Sequence, residues 1–272
     1  MARQDKVSKM DFERAKLDIE GPVAVLRFNH PEVMNAVSME MLGGLKEALD
    51  TVEDPDSKAR CLVLTGEGRA FCAGANLQGR NAKQTNRRDP GSALETGYHP
   101  ILRRLRNLPM PIVTAVNGAA AGVGMSFALM GDMILAARSA YFLQAFRRIG
   151  LVPDGGSTWI LPRLVGRARA MELSLMGERL PAEMALEWGL INRVYDDAAL
   201  MDEAMQLARE LANGPTVALG LIRRLYWQSP ENSYEQQLDL ERQSQKIAGN
   251  SEDAREGATA FLEKRPAQFK GR

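Results

Sequence analysis

Asp154 is one of two carboxylates that could act near the loops of small residues in the middle of this chain. Between Thr114 and Arg163 the only acids are Asp132 and Asp154. Asp132 lies in MGDMILAA, where a turn or capping role is expected. Asp154 lies in GLVPDGGSTW, directly before a predicted helix. It is either the N-cap of that helix or a carboxylate that faces a pocket and accepts a proton.

Two loops could bind a negative charge through their main chain. AFCAGANL (70–77) follows the apolar run CLVLTG, and GAAAGVG (118–124) follows another apolar run and opens a helix. The first N–H groups of a helix lack internal partners, and small side chains let a ligand approach the backbone. Together, the loops would form an oxyanion hole. The other interpretation is that the glycines only permit close packing.

Other kinds of site are disfavoured. The histidines are His30 and His99, the cysteines are Cys61 and Cys72, and no pair has the spacing of metal ligands. GAAAGVG lacks the Gly-Lys-Ser/Thr ending of a phosphate loop. We therefore expect no metal and no bound cofactor. The net charge of +1 does not favour nucleic acid.

The cysteine usage and the polar N-terminus favour the reducing cytoplasm. The two cysteines do not suggest a disulfide framework. The first residues lack the apolar core of a secretory signal. No apolar run reaches the roughly 18 residues of a membrane helix, so we expect neither a membrane span nor a membrane partner.

The elements that must position these groups alternate between strand and helix. Strands are predicted at 23–28, 59–66, 110–118 and in MILAA and AYFLQAF, and helices at 38–55, 98–108 and 122–132. This alternation predicts an α/β fold. From about residue 167 the signal is mainly helical, with one short strand in LINRV (190–194). We predict an α/β core over 1–196, a helical region over 197–272 and a mobile loop at 78–97.

Several separated segments, in order, resemble the enoyl-CoA hydratase/isomerase, or crotonase, superfamily. They are LTGEGRAFCAGANL, PIVTAVNGAAAGVGMSFALMGDMILAARSAYF, RRIGLVPDGGSTWILPRLVGRARAMEL and LDLERQSQKIAGNSEDAREGATAFLEKRPAQF. The resemblance covers about residues 15–270. It implies a spiral of strand–strand–helix units with a C-terminal helical trimerisation region. It also implies an acyl-CoA thioester substrate and a homotrimer or a hexamer made of two trimers.

The resemblance also assigns roles to individual positions. The N–H groups of Ala75 and Val123 would form the oxyanion hole. CoA contacts would come from Ala36 and Ala73 and, in the C-terminal region, from Phe261 and Lys264. The acyl pocket would be lined by Met125, Phe146 and the 78–97 loop.

Two residues depart from the pattern of the family's hydratases, which use two glutamates for water addition. Ser126 and Phe146 stand at those positions. Asp154 falls where certain isomerases and a dehalogenase of the family have an aspartate. This favours an isomerase that moves a proton within an aromatic (phenylacetate) or fatty acyl-CoA. We expect Phe146 to exclude water and to raise the pKa of Asp154.

Three alternatives remain open. One is a hydratase with atypical residues, for which Ser126 would matter. Another is a dehalogenase or hydrolase, with Asp154 as nucleophile and His99 activating water. The third is an acyl-CoA-binding oligomer with little activity, since a fold does not determine a function.

Overall fold

A seven-stranded sheet forms the centre of the molecule, in a computed structural model that describes residues 7–77, 89 and 91–272. The strands are β1 (Ser8–Phe12), β2 (Ala15–Glu20), β3 (Val23–Phe28), β4 (Cys61–Gly66), β5 (Ile112–Val116), β7 (Met133–Ala137) and β10 (Arg193–Tyr195). Their order across the sheet is β1-β2-β3-β4-β5-β7-β10. β1, β2 and β3 pair in antiparallel fashion, and the pairs from β3 to β10 are parallel. Every residue of β4 and β5 is buried, as is usual for parallel strands covered on both faces.

A second sheet of three strands carries the glycine–alanine segment. It consists of β6 (Ala119–Ala121), β8 (Tyr141–Leu143) and β9 (Arg179–Pro181), in the order β6-β8-β9. β6 pairs with β8 in parallel, and β8 pairs with β9 in antiparallel fashion. Part of the predicted loop GAAAGVG is therefore a strand.

Nine α-helices lie in the described part of the chain. They are α1 (Met39–Glu53), α2 (His99–Asn107), α3 (Val123–Ala128), α4 (Ser157–Met176), α5 (Ala182–Glu187), α6 (Leu200–Ala212), α7 (Thr216–Gln228), α8 (Tyr234–Gly249) and α9 (Glu252–Glu263). As predicted, Ser38 is the N-cap of α1, and its side chain accepts a hydrogen bond from the N–H of Met41. Within the described ranges, no helix combines the length and the hydropathy needed to span a membrane.

Helix α4 begins before residue 167, the point from which the sequence signal is mainly helical. It starts at Ser157, contains Pro162, and is interrupted at Gly166, whose φ of 77° and ψ of 162° are not helical. Proline and glycine normally mark helix ends. Here the chain turns at Gly166 and resumes a helix, so α4 links the segment after Asp154 to the C-terminal half.

Asp132 joins the sheet to the C-terminal helices instead of capping a turn. Its Oδ2 atom accepts hydrogen bonds from the N–H of Ile112 (2.7 Å) and from Nε of Arg223 on α7 (2.5 Å). Arg223 is buried and also donates to the carbonyls of Leu105 and Leu108.

Helix α6 of the C-terminal region packs on the central sheet, where it contacts β3, β4, β5, β7 and β10. The division of the chain at 196/197 stays a prediction.

Candidate active site

The two loops of small residues lie side by side. An isolated parallel bridge joins Cys72 to Ala120, with hydrogen bonds from Cys72 N to Ala119 O and from Ala121 N to Cys72 O, each 2.9 Å. Gly122 comes so close to the first loop that a Cβ built on it would lie 3.9 Å from Cα of Gly74. The fold thus brings together two loops that follow different predicted strands in the sequence.

The N–H groups of Ala75 and Val123 are available in this arrangement. Ala75 is bridged to Val37, but the hydrogen bonds of that bridge use the carbonyl of Gly74 and the N–H of Asn76. In a parallel bridge the N–H of the central residue points away from its partner. Val123 is the first residue of α3, where the N–H has no helical acceptor. Among the described residues, neither N–H donates a hydrogen bond.

Glycine is required at the contact between the loops. Gly74 and Gly122 have positive φ values of 103° and 53°, which residues with a Cβ rarely adopt. A Cβ on Gly124 would lie 2.1 Å from the carbonyl oxygen of Cys72. A side chain would strain the backbone at Gly74 and Gly122 and would collide with the first loop at Gly124, so the placement of the two N–H groups depends on glycine.

Asn35 supports the first loop and was not identified from the sequence. It is fully buried, its Nδ2 donates to the carbonyls of Glu67 (2.9 Å) and Ala70 (2.7 Å), and its Oδ1 accepts from the N–H of His30. Its φ of 57° is left-handed, a conformation that asparagine tolerates better than most residues. An Asn before a small residue, as in MNAVS, was the available sequence signal.

The predicted CoA contacts Ala36 and Ala73 lie in the segments that Asn35 joins. Both are half-buried, and the N–H of Ala73 donates to the carbonyl of Met34. Because Ala36 and Ala73 have small side chains, a ligand could approach the main chain at these two residues. Their role in CoA binding stays a prediction.

Asp154 is not the N-cap of α4, so that interpretation of the sequence is wrong. The cap residue is Gly156, and no side chain in the described part of the protein caps this helix. Among the described groups, Oδ1 of Asp154 is buried without a hydrogen-bond partner. Burial raises the pKa of Asp154 to about 6. A carboxyl group with this pKa can accept and return a proton near neutral pH.

The segment after Asp154 rests directly on α3. A Cβ built on Gly155 would lie 2.6 Å from Cβ of Ser126 and 3.3 Å from Cγ2 of Val123. The hydroxyl of Ser126 donates to the carbonyl of Asp154 over 2.9 Å. The segment that carries Asp154 therefore packs on the same short helix whose first N–H donates to no described group.

Phe146 lies at the edge of the loop contact. It is buried in a 3-10 turn, Ala145–Ile149, and its Cζ is 3.8 Å from a Cβ built on Gly122. Arg148, in the same turn, contacts the C-terminal end of α4, because its side chain donates two hydrogen bonds to the carbonyl of Gly177. An apolar ring thus occupies the position at which the family's hydratases are expected to have an acid.

Comparisons with known proteins identify the family of this chain. The family model described as enoyl-CoA hydratase/isomerase matches residues 18–272. The chain belongs to the enoyl-CoA hydratase/isomerase family. It is 51% identical over 255 residues to the 1,2-epoxyphenylacetyl-CoA isomerase of Escherichia coli strain K12, covering 93% of this chain and 97% of that protein. It is 42% identical to a probable enoyl-CoA hydratase of Rhodobacter capsulatus, covering 97% of this chain and 100% of the relative.

A solved structure shows the same fold. The crystal structure of an enoyl-CoA hydratase/isomerase from Cupriavidus metallidurans CH34 superposes with a TM-score of 0.88 at 31% identity, covering 96% of this chain and 98% of that one. The predicted crotonase-type α/β fold with C-terminal helices is thereby confirmed. This protein is an enzyme of a family that acts on acyl-CoA thioesters.

Two further predicted site residues, His99 and Met125, lie outside the two loops of small residues. His99 is the first residue of α2 and lines a cavity of about 270 Å³ together with Gly155, Gly156 and Trp159. Met125 is fully buried in the core, with Sδ 3.3 Å from Nε2 of Gln144. The predicted roles of His99 in catalysis and of Met125 in the acyl pocket stay predictions.

The C-terminal residues with a predicted CoA contact are on the surface of the single chain. Phe261 is 83% exposed near the end of α9, and Lys264 follows that helix with a left-handed φ of 54°. Their contact with CoA stays a prediction. Most of the 78–97 loop, residues 78–88 and 90, lies outside the described residues. In the described part of the chain, no three His, Cys, Asp or Glu side chains cluster as metal ligands would.

The two cysteines of the enzyme are expected to be unreactive in the folded state. Cys61 and Cys72 are fully buried free thiols, and burial raises the pKa of each to about 12. Since the thiolate is the nucleophile, an aromatic disulfide reagent at pH 8 should release almost no chromophore from the native protein. The same titration in denaturant should count both thiols. Rapid reaction of either thiol without denaturant would contradict this burial.

Proposed function

We propose that this enzyme is an acyl-CoA isomerase that moves a proton within a thioester enolate. It would shift a double bond, or open a ring epoxide, in an aromatic acyl-CoA of phenylacetate catabolism or in a fatty acyl-CoA. The observation that carries the proposal is the state of Asp154. Among the described groups its buried Oδ1 atom has no hydrogen-bond partner, and its main-chain carbonyl is hydrogen-bonded to the helix that begins at Val123. Acid–base chemistry and oxyanion binding then share one site.

In the proposed reaction the thioester oxygen accepts hydrogen bonds from the N–H groups of Ala75 and Val123. These bonds stabilise the enolate that forms when a proton leaves the carbon next to the carbonyl. Asp154 takes that proton from C2 of a 3-enoyl-CoA and returns it at C4, while the double bond moves to C2–C3. One base is sufficient, and no atoms are gained or lost. No cofactor is required.

Isomerisation is favoured over hydration because of what replaces the hydratase glutamates. The hydroxyl of Ser126 is directed to a main-chain carbonyl, and Phe146 presents a buried apolar ring. Neither group can act as the acid–base pair that water addition uses. The 51% identity to the isomerase of Escherichia coli supports the same choice.

The test is a product assay with three substrates. A 3-enoyl-CoA should give a 2-enoyl-CoA of unchanged mass, whereas a 2-enoyl-CoA should not gain the mass of water. A 4-halobenzoyl-CoA should release no halide. Hydrated product would favour the hydratase alternative. Halide release that is lost in both Asp154→Asn and His99→Ala would establish the dehalogenase alternative.

The rate is expected to depend on pH through Asp154. Since only the ionised carboxylate accepts a proton, kcat/KM for 3-enoyl-CoA should fall tenfold per pH unit below about 6, the pKa of Asp154, and level off above it. The measurement is a pH–rate profile of the free enzyme. His99→Gln is the control, and it should keep the acid limb. Loss of that limb in the control would assign the titration to His99.

The oligomer and the location are also part of the proposal. Tyr226, Tyr234, Phe261 and Leu262 are each at least 75% exposed on α7, α8 and α9. The expected trimer or hexamer, assembled through residues 197–272, would cover such apolar side chains if they form a contiguous patch. Light scattering after gel filtration would measure the mass. The free thiols fit a cytoplasmic enzyme.

A further inference from the structure

The main chain of Asp154 is held by two hydroxyl groups. Its carbonyl oxygen accepts from Ser157 through Oγ (2.8 Å) and N–H (3.2 Å), which are local contacts within the start of α4. The third donor is Oγ of Ser126 at 2.9 Å, from a different helix and 28 residues away. Ser126 and Ser157 are both fully buried.

Ser126 and Val123 lie on one side of α3. Residues three apart in a helix are neighbours on its surface. A Cβ built on Gly155 would meet both of them, at 2.6 Å from Ser126 and 3.3 Å from Val123. Gly155 and Gly156 have φ values of 62° and 82°. The turn formed by Gly155 and Gly156, which has no side chains, therefore packs directly on the first turn of α3.

We infer that Ser126 is a positioning residue, which fixes the carboxylate of Asp154 relative to the N–H of Val123. This inference rests on the proposed function. The hydrogen bond joins Ser126 to the segment of the proposed base, Asp154. Ser126 lies three residues after the proposed oxyanion donor, Val123, on the same helix. Ser157 cannot make that link, because its own contact lies within the segment that carries Asp154.

Correct separation of these two groups matters for the proton transfer. The base must reach the carbon next to the carbonyl while the carbonyl oxygen stays in the oxyanion hole. A displacement of about 1 Å can lower a rate about 100-fold. Substrate binding, in contrast, depends on CoA contacts that Ser126 does not make. Loss of the Ser126 hydroxyl should therefore lower kcat and leave KM nearly unchanged.

Thr114→Val is the matched control for Ser126→Ala. Thr114 is fully buried, and its hydroxyl donates to the carbonyl of Ala128 at the far end of α3 over 2.9 Å. Both variants remove one buried hydroxyl that bonds a carbonyl, but only Ser126 bonds the segment of Asp154. The two should lower the melting temperature to a similar extent.

The experiment compares kcat and KM of the full-length oligomer for 3-enoyl-CoA. We expect kcat of Ser126→Ala to fall about 10- to 100-fold with KM within about twofold, and Thr114→Val to stay within about twofold in both. Wild-type kcat in Ser126→Ala, or an equal loss of kcat in both variants, would overturn the inference. So would a rise in KM alone, which would place the hydroxyl on the substrate.

Asp154→Asn, assayed in parallel, separates the inference from the function on which it rests. If that variant keeps its turnover, the proposed isomerase mechanism is wrong, whatever Ser126→Ala does. If Asp154→Asn loses its turnover and Ser126→Ala keeps it, only the positioning role is wrong.

Discussion

Asp154→Asn should lower kcat for isomerisation of 3-enoyl-CoA by about 10²–10⁴-fold, the range typical of a general base. The amide has nearly the same shape as the carboxyl group but cannot accept the proton. KM should change little, because the proposed oxyanion donors and the predicted CoA contacts belong to other residues. Steady-state rates at pH 7.5 with wild type and variant measure the effect.

The same variant should be as stable as the wild type or more stable at neutral pH. Oδ1 of Asp154 is buried without a partner among the described groups, and burial raises its pKa to about 6, above the roughly 3.9 of an unfolded chain. A raised carboxyl pKa gives a contribution to stability that is complete below the unfolded value. That contribution is lost as the pH rises through 6. The melting temperature of the wild type, relative to the variant, should therefore fall between pH 4 and 7.

Asp132→Asn is the matched control. Asp132 also forms part of the core structure, but its carboxylate is paired with the buried guanidinium of Arg223. Removing one partner of such a pair leaves an uncompensated buried charge. This variant should lose stability and keep its kcat. If Asp154→Asn were inactive because of a lower melting temperature, or fully active, the assignment of the base would be wrong.

The strands with buried apolar runs were predictable from the sequence, whereas the N-terminal hairpin was not. β4 and β5 are buried along their whole length, so their residues are almost all apolar. β1 and β2 carry SKMDF and AKLDIE, and β1 is at the edge of the sheet with mainly exposed side chains. An exposed edge strand needs few apolar residues. Its pattern is therefore hard to distinguish from a polar terminus.

The backbone part of the site was easier to predict than its side chains. An N–H donor needs only small residues after a strand or before a helix, and these are local features. Whether Asp154 caps α4 depends on where the helix begins. The start lies beyond the two glycines, at Ser157, and such boundaries shift by a few residues in any prediction.

Ser126 illustrates the part of the site that local patterns cannot give. In the sequence it appears only as the absence of a glutamate. Its partner is a main-chain carbonyl 28 residues away, and main-chain acceptors leave no trace in residue type. Asn35 is similar, since its amide is bonded to carbonyls more than 30 residues distant. Tertiary structure is required to identify both.

Gly122→Ala should lower kcat/KM for 3-enoyl-CoA by about 10²–10³-fold, the usual effect of losing one oxyanion donor. The peptide between Gly122 and Val123 carries the second N–H of the proposed oxyanion hole. Gly122 has φ of 53° and ψ of −128°, a region essentially restricted to glycine. Alanine would rotate this peptide and turn the N–H away. Crowding is not the cause, because the nearest described atom to the added Cβ would be 3.8 Å away.

Gly166→Ala separates the loss of that donor from backbone strain. Gly166 also has a conformation typical of glycine, with φ of 77° and ψ of 162°, and a Cβ there would meet no atom of the described residues within 4 Å. Each substitution should cost about 1–3 kcal/mol of stability. Only Gly122→Ala should reduce catalysis, because Gly166 is exposed on α4. Equal activity losses in the two variants would attribute the effect to strain and remove the support for Val123 as an oxyanion donor.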